Sequence, residues 1–295
     1  TNLRNHGFNR KLEGFGESVQ GDLRDENFVA QIMEGVDVVF HCAASTSNAV
    51  DTIYAPLLHV TPNVIINALT LEKAYKNNIK KFIFLSSSTI YPESGERAVL
   101  ETDNIYESIY KTYYPVGWMK RYAEVLCKMY SEILINPMQT VIVRPANLYG
   151  PHDKYDLDKC HVVPAFINKI INATDTLHVW GNGEAKRDII YIDDLVDMVE
   201  KVIEKQESKY ELFNCGAGKA YSIKELADTI MQVNDKKLEL QYDSTKPNIP
   251  TVVILNCDKA KTKLGWIPKV DILTAFKKTS DWYKSNYSGS KLHVK

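Results

Sequence analysis

What the 295-residue chain has little of narrows its class before any motif is read. No apolar run approaches the roughly 18 residues that span a bilayer, so a membrane helix is excluded and no membrane partner is expected. No Cys-x-x-Cys pair and no metal-ligand spacing occurs, which leaves no metal in the reading. Five cysteines, an odd number, point to free thiols in a reducing compartment, hence to the cytoplasm. Neither sign of charge prevails: 36 Lys and Arg meet 37 Asp and Glu, a net of -1, so no nucleic-acid partner is implied. Internal repeats and low-complexity segments are absent. The first residue is Thr1 rather than Met, which leaves room for a preceding segment.

What is present has the alternation of an α/β protein. Residues 82–85 form an unbroken apolar run, as in a strand buried on both faces, and end in Ser86-Ser87-Ser88. Polar clusters at the carboxyl ends of such strands are where open α/β sheets build their sites. A second buried strand is expected over 37–44, ending in the small residues Ala43 and Ala44, and a third over 140–144. Residues 19–25 read as a short strand closing on a polar turn. Helical spacing marks 27–34, 62–75 with Pro62 in the first turn, and 116–134 with Lys120 one turn in. Strand, helix, strand, helix, strand implies a parallel sheet with right-handed crossovers. Beyond Asn147 the elements are shorter and mixed: a helix over 162–171, strands over 177–180, 188–192 and 212–215, and helices over 258–264 and 273–285. Asp193-Asp194 reads as an N-cap, and Ser222 with Glu225 as a capping box. The expected division is 1–150 as a dinucleotide-binding domain and 151–295 as mainly a smaller substrate lobe, some segments returning to the first.

The order of several motifs adds a resemblance. They are Gly21-Asp22-Leu23, His41-Cys42-Ala43-Ala44, Ser86 to Pro92, Lys120-Arg121, Arg144 to Asp153, Val179-Trp180-Gly181-Asn182-Gly183, Arg187-Asp188 and Leu264-Gly265-Trp266. The chain resembles the extended short-chain dehydrogenase/reductases that modify nucleotide sugars, within them most of all the GDP-L-fucose synthases. The resemblance covers nearly the whole chain. It implies a Rossmann-type doubly wound sheet with a smaller mixed α/β substrate lobe. It implies a homodimer whose long helices pair. Its implied chemistry is NAD- or NADP-dependent epimerisation or reduction of a nucleotide-diphosphate sugar, by hydride transfer at C4. By the same resemblance Asp22, Leu23, Ala43 and Ala44 line the cofactor cleft. Ser87 meets the reacting sugar oxygen, Lys120 holds the nicotinamide ribose, and His161 is a catalytic candidate. Ser88, Asn147 and Lys169 face the substrate, Val179 and Trp180 border the base, and Arg187 neutralises the diphosphate, for which its planar fork is suited. For Lys169 a solvated helix lysine is the plainer reading.

Three positions depart from the family. The Gly-x-x-Gly-x-x-Gly turn that cradles a dinucleotide pyrophosphate is absent, so a first βαβ unit of roughly 30 residues is expected to be missing. The family's Tyr-x-x-x-Lys places a phenol one helical turn before the lysine, and here that position is Val116. Tyr114, with Tyr113 beside it, is the expected substitute. Thr89 stands where the fucose synthases carry a cysteine, which argues against double epimerisation. Thr251-Val252-Val253 lacks the basic residues that related chains offer a nucleotide. The alternative to an enzyme is a silent relative that binds a nucleotide sugar or a partner chain without turnover. Choosing between NAD and NADP rests on residues near Thr1, where Arg4 could face a 2′-phosphate.

Overall fold

The computed structural model describes residues 16, 18–46, 49–103, 108–246, 248–250 and 252–287. Arg4 and Thr251 lie outside them. Four parallel strands form the main sheet, in the order Val38–His41 (β1), Lys81–Leu85 (β2), Gln139–Pro145 (β4) and Tyr210–Cys215 (β8). The short strand Ala98–Val99 (β3) lies outside it, paired with Ile254–Leu255 (β11). Side chains alternate across the sheet, as the pleat requires. Phe82, Phe84 and Ile142 join a core with the helices Glu26–Ile32 (α1), Leu57–Lys76 (α3) and Tyr114–Glu132 (α4). Ile83, Val141, Val143 and Phe213 pack the other way, against Ile192–Lys205 (α6) and Asp258–Leu264 (α8).

A second core gathers Val162–Asn172 (α5), Thr176–Trp180 (β6), Ile223–Val233 (α7) and Ile272–Tyr287 (α9) around Phe166, Ile167, Ile170, Leu226, Ile230 and Phe276. Its edges are small sheets. Glu239–Asp243 (β10) runs parallel to β6, and Lys186–Tyr191 (β7) is flanked by Asn147–Tyr149 (β5) and Ala220–Ser222 (β9).

Several local expectations are corrected. No strand forms over 19–25; Asp22 instead closes a turn by accepting from the Arg24 backbone, and Asp25 caps α1. β1 is a sheet edge in the described chain, with Val38 39% and Phe40 42% exposed, rather than a strand buried on both faces. Asp194 does not cap α6: its carboxylate accepts from Lys269 N at 2.8 Å and fastens the segment after α8. The capping box of Ser222 and Glu225 is present.

Helix α3 starts at Leu57, five residues before Pro62, which lies inside it. A proline removes the amide that would bond the carbonyl four residues back. That carbonyl is Leu58 O, and the Ser45 hydroxyl donates to it at 3.1 Å. Asn63 completes the grip, accepting from Ser45 N at 2.7 Å and donating to Ser45 O at 2.9 Å. A helix irregularity thus holds the segment after β1, where Ala43 and Ala44 stand.

Candidate active site

The carboxyl ends of β1, β2 and β4 open on one cleft, and a buried polar network braces it. Glu124 on α4 accepts from the Ser86 hydroxyl at the end of β2 and from Arg144 Nε and Nη2 on β4, at 3.0 and 2.6 Å. Arg144 also donates to the Tyr91 hydroxyl at 2.8 Å, and Tyr91 to Asn214 Oδ1 on β8 at 2.6 Å. The Glu124 and Arg144 side chains are 3% and 2% exposed. Charges removed from water persist only when paired and hydrogen-bonded, and this pair meets both conditions.

Lys120 lies one turn before Glu124 on α4. Its ammonium donates to Leu85 O at 2.7 Å and sits 4.7 Å from the centre of the Phe84 ring. Burial lowers its pKa to about 8, with Glu124 opposing the shift. On the next strand His41 is held by Asn67 at 2.9 Å, and burial lowers its pKa to about 4, so the ring stays neutral at ordinary pH. Ala43 and Ala44 follow, half-buried and small. Ser87 caps the single turn Ser88–Ile90: its Oγ accepts from Thr89 N at 3.1 Å and from Thr89 Oγ1 at 3.0 Å.

Beside that turn is a small cavity of about 40 Å³, open to solvent and lined by Ser88, Thr89, Tyr91, Tyr110, Tyr113, Asn147, Lys186, Arg187, Asp188 and Val253. Asn147 donates to Asp188 O at 2.8 Å, and Arg187 to Ile249 O at 2.7 Å. Asp188, wholly buried, accepts from Ala217 N and Leu255 N at 3.0 Å each; burial raises its pKa to about 7. Lys186 pairs with Glu96.

Of the residues singled out from sequence, Ser88, Asn147 and Arg187 come together in this cavity, next to Ser87. Tyr114 does not join them: it is 53% exposed and packs edge-on against Trp118, because the helix begins with Tyr114 turned to the outer face. Tyr113 is the tyrosine that enters. Val179 has no exposed side chain to offer a base and belongs to the second core. Trp180, beside it, is half-buried under the Lys169 ammonium, 5.8 Å from its ring. Lys169 also donates to His178 O at 3.1 Å. His161 stands at the exposed start of α5 and is not among the cavity's lining residues. Asp22 is exposed and paired with Arg24, and Leu23 leans on the first core. Tyr110, Lys186 and the Glu124–Arg144 brace escaped the sequence reading. The run of tyrosines over 110–114 was a visible signal for the first, whereas nothing local marks two ions that meet across a sheet.

A parallel sheet with helices on both faces and polar residues at its strand ends is a Rossmann-type α/β architecture, in which sites form at the carboxyl ends of the strands. Residues 1–216 match the NAD dependent epimerase/dehydratase family, and the chain belongs to that family. It is 29% identical over 228 residues to GDP-L-fucose synthase 1 of Arabidopsis thaliana, covering 76% of this chain and 69% of that one. It is 27% identical over 265 residues to the GDP-L-fucose synthase of Escherichia coli strain K12, covering 86% and 82%. Among solved structures, the UDP-glucose 4-epimerase of Thermotoga maritima with UDP-glucose superposes with a TM-score of 0.77 at 27% identity, over 90% of this chain and 83% of that one.

The family's cofactor is a nicotinamide dinucleotide. The residues present fit its nicotinamide-ribose end: Lys120 spends one of its three N–H groups on Leu85 O, and Ala43 and Ala44 leave the strand end unobstructed. A glycine-rich pyrophosphate turn is not among the described residues. No helix among them is long and apolar enough to cross a membrane, and no cluster of three or more His, Cys, Asp or Glu could hold a metal ion.

Proposed function

We propose that the chain is an NAD(P)-dependent nucleotide-sugar epimerase or reductase acting at C4 of the sugar. The observation that carries this is the meeting of Ser88, Asn147 and Arg187 in one cavity next to Ser87, with Lys120 on the neighbouring helix. When bound, the nicotinamide supplies or accepts a hydride at the sugar carbon. The chain's own residues do the rest. Lys120 holds the ribose, with a charge kept by Glu124 against its burial. Ser87 and Thr89 present hydroxyls to the sugar oxygen, and Asn147 orients the ring. Lys186 and Arg187 offset the diphosphate by charge-assisted hydrogen bonds. Trp180 and Lys169 border the base, and His161 stays a secondary acid–base candidate at the rim. The compartment that suits five unpaired thiols is the cytoplasm.

A homodimer belongs to this reading. Trp118, Tyr122 and Val125 make one exposed stripe along α4, at spacings of four and three residues, and Leu58 and Ile65 make another on α3. Two apolar stripes on packed helices are the face a second copy would cover.

Binding without turnover is the second reading, and Val116 favours it, since no phenol stands one turn before Lys120. The two separate in one assay: oxidation of a reduced nicotinamide when a 4-keto nucleotide sugar is added.

A further inference from the structure

Tyr113 occupies a place that neither the family's motif nor the proposed mechanism assigns. It ends the single turn Lys111–Tyr113 and leads into α4. Gly117, one turn on, seats the helix start against the serine turn: a Cβ there would lie 2.6 Å from the Thr89 carbonyl oxygen. The Tyr113 ring is thereby fixed beside Ser88 and Thr89, with the Tyr110 ring 6.3 Å away at 59°. Its hydroxyl has no hydrogen-bond partner among the described residues. Burial raises its pKa against the pull of Arg187, so the phenol keeps its proton and is a donor. It is not a replacement for the missing phenol at position 116. Seven residues separate it from Lys120, about 10 Å along a helix axis.

The lining therefore brings together two cations, Lys186 and Arg187, two hydroxyls, Ser88 and Thr89, and the rings of Tyr110 and Tyr113. A ligand matching that set carries both an anionic group and a hydroxyl-bearing ring. We propose that Tyr110 and Tyr113 recognise the sugar ring of the nucleotide sugar, a reading that rests on the function proposed above. The ring faces pack on the sugar's C–H face, and the Tyr113 hydroxyl donates to a sugar oxygen. Such a pair sets specificity, because a site built to hydrogen-bond a hydroxyl rejects ligands that lack it.

The test compares affinities, with no need for turnover. Calorimetric Kd values are measured for UDP-glucose and GDP-mannose and for UDP and GDP, on the wild-type chain and on Tyr113→Phe, Tyr113→Leu and Tyr110→Leu. The preferred nucleotide sugar should weaken about 2–10-fold in Tyr113→Phe and about tenfold in each leucine variant. The parent diphosphate should hold within about twofold. Tyr113→Phe keeps the ring and decides the matter should a leucine variant fail to fold. Equal losses on sugar and diphosphate, or no loss on the sugar, overturn this recognition and leave the proposed function standing. A wild type that binds none of the four ligands overturns both.

Discussion

At the scale of single residues, the site turns on which phenol stands where. Val116 sits half-buried one turn before Lys120, on the lysine's side of α4, while Tyr113 is two turns away and Tyr114 faces out. Under the proposed function the proton for the sugar oxygen comes from a hydroxyl such as Thr89 or Ser87, both far weaker acids than a lysine-assisted phenol. Restoring the phenol by Val116→Tyr should raise turnover of a 4-keto nucleotide sugar by roughly the 10²–10⁴-fold of a positioned acid. An unchanged rate would mean that the side chain at 116 does not reach the reacting centre. Part of this was legible in sequence. Lys120, the serine cluster, Asn147 and Arg187 could be picked out because each sits at a strand end or on a short motif. Which of two adjacent tyrosines turns inward could not, since that depends on where α4 begins. Val179 misled for a related reason: alternation along β6 turns it into the core and leaves Trp180 as the side chain with an exposed face.

At the scale of elements, the cleft is positioned by polar contacts that cross the sheet. Glu124 joins α4 to β2 through Ser86 and to β4 through Arg144, and so fixes the helix that carries Lys120. Removing one partner of a buried pair leaves the other charged and unpaired. Glu124→Ala should cost about 3–5 kcal/mol, read as a lower urea midpoint with an unchanged slope. A midpoint equal to the wild type's would show that the network does not bear on stability. The main strands and long helices were readable because their apolar periods are long. Strands β3, β5, β9 and β11 were not, being two or three residues paired to distant segments, with too little pattern to stand out. The early start of α3 was hidden by Pro62. A proline reads as a helix start until the Ser45 hydroxyl that serves the orphaned Leu58 carbonyl is seen.

At the scale of the whole molecule, the stripes on α3 and α4 leave apolar side chains of two packed helices exposed. If a second copy covers them, replacing Tyr122 and Val125 together by glutamate should turn a dimer into a monomer in sedimentation at micromolar concentration. A wild type that sediments as a monomer would remove the dimer from the account. Catalysis on a nucleotide sugar is read most directly from the nicotinamide itself. The absorbance of reduced nicotinamide at about 340 nm is followed after adding a 4-keto nucleotide sugar to the full chain and to Lys120→Met. The account predicts a fall in absorbance with the wild type, slowed at least about 100-fold by loss of the lysine. A nucleotide sugar that binds the wild-type chain and leaves that absorbance unchanged would contradict it.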